Sequence, residues 1–141
     1  MPVHLEWVES PSEQDWIDLN KLYIDAPKDW IHSNSAQPAQ SYVHQKQQQG
    51  YKVVAGRFND RLIATALLKV NSHKINAYYL EDMCVRALTR ERGVAKQLLV
   101  RICQWSDEQK CSLWVADESA KLRVLMEFGF VHAQGKWCRQ G

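Results

Sequence analysis

The stretch LTRERGVAKQLL, residues 88–99, places Arg90, Arg92 and Gly93 just ahead of an apolar helical pattern. The first turn of a helix leaves several backbone N–H groups unpaired and carries a partial positive charge. It can therefore hold a diphosphate without any special side chain. A glycine there lets an anion approach the main chain, and arginines can add charge-assisted hydrogen bonds, each worth about 1.5–3 kcal/mol when partly desolvated. The stretch has neither a Walker lysine nor a G-x-G-x-x-G fingerprint, which argues against ATP and NAD. Upstream, Glu81 and Asp82 lie on the run leading to this cradle and could supply a base. Strand alternation sends them to opposite faces of a sheet, so only one of the two is expected to meet a ligand.

These groups need elements to position them. VHLEWV, residues 3–8, alternates as a first strand. Ser12, with Asp15 three places on, reads as the cap of a helix that carries Trp16, Leu19, Leu22 and Tyr23 along one face. From Asp25 to Gly50 the chain turns polar, and Pro38 can open a short helix that Gly50 closes. YKVVAGRF and RLIATALLKV are strands joined at Asn59-Asp60, a pair that tolerates the positive φ of a hairpin turn. Both faces of the second run are apolar, so the sheet is expected to be covered on both sides. AYYLEDMCV is a further strand ending just before the cradle. Val94, Leu98, Leu99, Ile102 and Trp105 recur at helical spacing, CSLWVA is a short strand, ESAKLRVLMEF a helix stopped by Gly129, and FVHAQGKWC a terminal hairpin. The predicted fold class is α/β: a mixed sheet with helices on both faces, with residues 1–141 as a single domain.

A formal net charge of +2 is too small to argue for nucleic acid or a membrane surface as partner. Six tryptophans point instead to aromatic packing. Cys84, Cys103, Cys111 and Cys138 form no C-x-x-C pair and no apolar stretch follows the N-terminus, so a reduced, cytoplasmic setting is expected. His132 and Cys138 match no common zinc spacing, and no metal is expected.

VRALTRERGVAKQLL resembles motif A of the Gcn5-related N-acetyltransferase (GNAT) family, with Arg90, Gly93 and Ala95 at the positions of its pattern. The preceding strand, the following β-α-β and the terminal EFGF stand in that family's order. The resemblance implies the GNAT fold and acetyl-CoA (coenzyme A) as ligand. Its pyrophosphate would lie on the backbone of Thr89, Arg90, Glu91, Arg92, Gly93, Val94, Ala95 and Lys96. Its pantetheine would run beside Met83, Cys84 and Val85 like an added strand. The family's usual acid is a tyrosine four residues before the glycine of the final GF. Here that position is Leu125, which has no proton to give. Glu118 stands near the place of the family's asparagine. A missing general acid costs about 10²- to 10⁴-fold in rate, so acetyl transfer is expected to be weak or absent. The alternative is an active N-acetyltransferase with Glu81 as base and Tyr78 or Tyr79 as replacement acid.

A narrower likeness runs nearly end to end. SEQDWIDLNKLY, AGRFNDRLIATA, VRALTRERGV, LWVAD and GFVHAQGKW resemble the PanZ (PanM) family, the GNAT-fold factors that mature and regulate bacterial aspartate 1-decarboxylase (PanD). That resemblance implies an acetyl-CoA-loaded protein whose docking promotes the decarboxylase's pyruvoyl-forming self-cleavage, tying β-alanine and pantothenate synthesis to CoA supply. It places Arg57 and Asn59, with Phe58 between them, against the decarboxylase. An arginine fork and an amide at a turn suit backbone carbonyls or a chain terminus. The chain departs from that pattern in a longer segment from Asp25 to Gly50, a shorter connection after Asp117, and Glu91 and Lys96 in the cradle.

Overall fold

The computed structural model describes residues 2–24, 38–86, 93–116, 126–133 and 135–141. Seven strands form one sheet in the order β1-β2-β3-β4-β5-β7-β6. They are β1 His4–Trp7, β2 Lys52–Phe58, β3 Arg61–Val70, β4 Ala77–Val85, β5 Ser112–Ala116, β6 Val131–Ala133 and β7 Lys136–Arg139. Pairing is antiparallel except between β4 and β5, which run parallel and are connected through the long helix α3, Val94–Gln109. Parallel neighbours need such a crossover, whereas the antiparallel pairs can use tight turns. The β2–β3 turn is tight as expected: Asn59 and Asp60 adopt φ values of 48° and 63°, the double positive φ that matches the strands' own twist.

Helix α1, Glu13–Ile24, starts where the sequence places it. The Asp15 amide donates to Ser12 Oγ at 3.1 Å and the Ser12 amide to Asp15 Oδ2 at 3.2 Å, which satisfies two donors that the helix leaves unpaired. Helix α2, Pro38–Gln48, begins with the Ala39 amide donating to Asn20 Oδ1 of α1 at 3.0 Å. The two helices lie on one face of the sheet. Leu19, Leu22, Tyr23, Tyr42 and Val43 pack there against Val53, Ala55, Leu62 and Leu67. On the other face Leu98, Leu99 and Ile102 of α3 pack against Val54, Ala64, Ala66, Leu68 and Leu80. Fully burying each such side chain stabilises the fold by about 1.5–3 kcal/mol. With two covered faces, β3 is buried from Leu62 to Leu68. Gly56 has to be small here, since a Cβ would stand 2.7 Å from Val3 Cγ1.

Of the predicted helix ESAKLRVLMEF only the last turn lies within the described residues. It ends at Gly129, whose φ is 86° and whose amide donates to the Met126 carbonyl at 3.2 Å. Trp7 and Tyr78 both meet Trp105 edge-on, with ring centroids 5.3 and 5.2 Å apart. Among the described residues no helix is long and apolar enough to cross a membrane.

A cleft beside an uncapped helix start

The candidate site arises where two parallel strands part. β4 and β5 pair only through Ala77–Ser112, Tyr78–Leu113 and Tyr79–Trp114. Beyond that row β5 continues against β7 and β4 continues against β3. Among the described residues the β5-facing edge of β4 is thus left without a strand as far as Val85, and such an edge is a template for one more extended chain. Met83 and Val85 pack toward the α3 core. The Cys84 side chain turns the opposite way, its Sγ 3.5 Å from the Leu22 carbonyl of α1. Only the backbone of Cys84 therefore borders the cleft.

The edge leads to the start of α3. Gly93 is the N-cap residue with φ 74°, and no side-chain hydrogen bond caps the turn. The first helical bond is Gln97 N–H to Gly93 C=O at 2.9 Å, so the preceding amides lie outside the helix's own ladder. The first turn of α3 holds no acidic residue, and a Cβ on Gly93 would meet nothing within 4 Å. The glycine is dictated by its positive φ, and the space beside it is open. Both features leave the main chain accessible at the position where a diphosphate is expected. Val94 is buried, while Lys96 pairs with Glu127 at 2.8 Å in the open. Thr89, Arg90, Glu91 and Arg92 of the expected cradle, together with Glu118 and Leu125, lie outside the described residues.

The carboxylates depart from the expected alternation. Thr65 pairs with Cys84 but Leu67 pairs with Glu81, so β4 has two residues where β3 has one. That is a β-bulge, and Asp82 within it has φ 50°. The extra residue brings both carboxylates to the α1/α2 side. Tyr42 O–H donates to Asp82 Oδ2 at 2.8 Å, and Glu81, the partner of Leu67, lies on the side where Leu67 and Tyr51 pack. The expectation of opposite faces fails because alternation counts one residue per pleat. Burial pushes the Tyr42 hydroxyl far above the usual phenol range, with Tyr23 and Asp82 adding to it. Tyr51 is pushed up to about 12 by burial and by the nearby Glu81 carboxylate. A useful general acid has a pKa near the working pH, so neither tyrosine suits protonation of a leaving thiolate. The sequence reading missed both. The signal for Tyr42 was its spacing with Ala39 and Val43 on one side of α2.

Tyr78 and Tyr79, the other candidate acids, are engaged elsewhere. Tyr78 packs on Trp105, and Tyr79 accepts a 3.0 Å hydrogen bond from Lys136 Nζ. At the hairpin, Asn59 is exposed and Phe58 half-buried against the α3 core. Arg57 is not the open fork that the sequence suggests. It donates to Glu6, to both oxygens of Asp15 at 3.1 and 3.3 Å, and to the Asp60 carbonyl at 2.9 Å. Next to it lies a pairing the sequence reading did not identify. Asp18, 2% exposed, accepts from Arg61 at 2.9 Å and from the Leu62 amide at 3.1 Å.

A mixed sheet that opens between parallel β4 and β5, with a bulge in β4 and a glycine-started helix at the mouth, defines a protein of the GNAT acetyltransferase fold. The solution structure of Escherichia coli YhhK bound to coenzyme A superimposes with a TM-score of 0.62 over the full length of both chains at 25% identity. The family model described as "Acetyltransferase (GNAT) domain, PanZ" matches residues 2–140, and the chain belongs to that family. Two relatives carry the name PanD regulatory factor. That of Escherichia coli K12 is 28% identical over 135 residues, covering 92% of each chain. That of Salmonella typhimurium LT2 is 27% identical over 128 residues, covering 91% of this chain and 86% of its own.

Proposed function

We propose that this chain is an acetyl-CoA-binding regulatory factor that docks on aspartate 1-decarboxylase (PanD) and promotes the self-cleavage that generates its pyruvoyl group. The observation that carries the reading is the parting of β4 from β5 beside an uncapped helix start. A free strand edge and a set of free amides meet at one mouth, which suits a ligand with an amide-bearing arm and a diphosphate. The backbone of Met83, Cys84 and Val85 would hold the arm, while Gly93, Val94, Ala95 and Lys96 would hold the diphosphate by their amides, with Arg90 and Arg92 adding charge. Acetyl-CoA would supply a thioester at the bulge. Leu125 stands at the position of the family's usual tyrosine acid, which favours a binding role over turnover.

The partner comes from the family and from the relatives named PanD regulatory factor. Arg57, Phe58 and Asn59 form the hairpin tip proposed to meet the decarboxylase, and the Arg57 carboxylate ties set that tip's orientation before docking. The test is to mix the chain with unprocessed decarboxylase, with and without acetyl-CoA, and follow chain cleavage by mass. Faster cleavage only when both are present is expected. Cleavage indifferent to the chain, alongside rapid acetylation of simple amines, would establish it instead as a transferase with Glu81 as base.

A further inference from the structure

Four lysines gather on one face of the sheet without a salt bridge to any described carboxylate. Lys69 on β3 pairs with Tyr79 on β4, and Tyr79 pairs with Trp114 on β5. In-register partners share a face, so the three side chains form a row across three strands. Lys46 and Tyr51 extend the row on the α2 side, while Lys136 on β7 and Lys74 from the β3–β4 turn extend it on the other. The Lys69 ammonium lies 4.8 Å from the Tyr51 ring centre and Lys46 lies 5.2 Å from the same ring. Lys136 is 4.6 Å from the Tyr79 ring and Lys74 is 5.0 Å from Trp114.

None of these four lysines makes an ion pair with a described residue, whereas Arg57, Arg61, Lys96 and Arg139 all have carboxylate partners. Glu81 and Asp82 share the face, but Asp82 accepts from Tyr42 at 2.8 Å, and neither carboxylate forms a salt bridge with any of the four lysines. Seating an ammonium over an aromatic ring restrains a long side chain without satisfying its charge. The face is thereby preorganised for anions.

We propose that this row is a docking surface for an acidic polypeptide segment whose carboxylates pair with Lys46, Lys69, Lys74 and Lys136. The chemistry favours carboxylates over nucleic acid. The rings of the row already carry ammonium groups on their faces, which takes away the open platforms that bases stack on. No arginine stands in the row to fork a phosphate. The proposal goes beyond the decarboxylase reading and uses no residue of the cradle or the hairpin tip.

The experiment measures binding of a labelled oligoglutamate peptide to the full chain by fluorescence anisotropy. The double variant K69Q/K136Q is expected to weaken binding about tenfold. The control K21Q/K52Q removes the same charge from α1 and from the lysine over Trp7, and is expected to leave binding within about twofold. Three results would overturn the proposal: no binding by the unaltered chain, equal loss in both double variants, or tighter binding of an oligothymidylate of equal charge.

Discussion

The Tyr42 hydroxyl donates a 2.8 Å hydrogen bond to Asp82, the only non-glycine residue inside a described strand with positive φ. A helix thus holds a strand irregularity in place, because αL backbone is unfavourable for a side-chain-bearing residue unless its surroundings fix it. Replacing Tyr42 with Phe keeps the ring against Tyr23 and removes the donor. A hydrogen bond to a charged group is worth about 1.5–3 kcal/mol, which for a chain of this size lowers Tm by roughly 4–10 °C. Acetyl-CoA affinity should fall as well, since Met83 to Val85 follow the bulge directly. Calorimetric melting unchanged in Y42F would show that the bulge holds without this bond.

Gly93 and Gly50 share a positive φ, 74° and 90°, with nothing within 4 Å of a Cβ built on either. Alanine at each therefore costs about the same backbone strain, on the order of 1–2 kcal/mol. Only Gly93 opens α3. G93A is expected to weaken acetyl-CoA binding at least about tenfold, the loss of roughly one hydrogen bond to a charged group, whereas G50A leaves it unchanged. Titration calorimetry on the two variants separates strain from binding, and equal affinities would remove the helix start from the site.

Local signals were readable in the sequence and non-local pairings were not. Ser12 and Asp15 cap α1, and Asn59-Asp60 turns the hairpin, because each depends on residues within a few positions of one another. The glycine before α3 was legible for the same reason. Glu81 and Asp82 were misplaced because one extra residue in β4 shifts every later face, and a bulge leaves no mark in an alternating pattern. Arg57 looked free because its partners Glu6 and Asp15 lie 51 and 42 residues away. Asp18 was hidden by its neighbours. It shares the buried face of α1 with Leu19 and Leu22, and a carboxylate in that register could have suggested a buried cationic partner.

Asp18 also sets an acid limit on stability. Burial pushes its carboxyl up, but Arg61, the Leu62 amide and Gln14 more than offset this and hold it below the usual carboxylate range. A group with a depressed folded pKa contributes stability that is fully present above its unfolded pKa, about 3.9, and is lost as pH falls through the folded value. Asp107, held down by Arg139, acts in the same direction. Urea unfolding from neutral pH to below about pH 4 should show the unaltered chain losing stability steeply. D18N, weaker at neutral pH by about 2 kcal/mol, should lose less across that window. Parallel curves for the two chains would refute this role for Asp18.

At the hairpin tip the proposed docking contact and the fold's own contacts lie within three residues of each other. Asn59 is exposed at φ 48°, so N59G relaxes the backbone while deleting the amide. It should melt at or slightly above the unaltered chain and bind acetyl-CoA equally well. If Asn59 meets the decarboxylase, docking should weaken about tenfold, a typical loss for a polar contact at the centre of an interface. R57A is expected to behave differently, because Arg57 joins β1, α1 and the turn through Glu6, Asp15 and the Asp60 carbonyl. It should lower both docking and thermal stability. R57K, which keeps the charge but not the fork, should recover only part of each. Surface-immobilised decarboxylase distinguishes these cases by dissociation rate, since truncated contacts in an interface act mainly on koff. An N59G chain that dissociates no faster than the unaltered one would move the docking surface away from the β2–β3 turn.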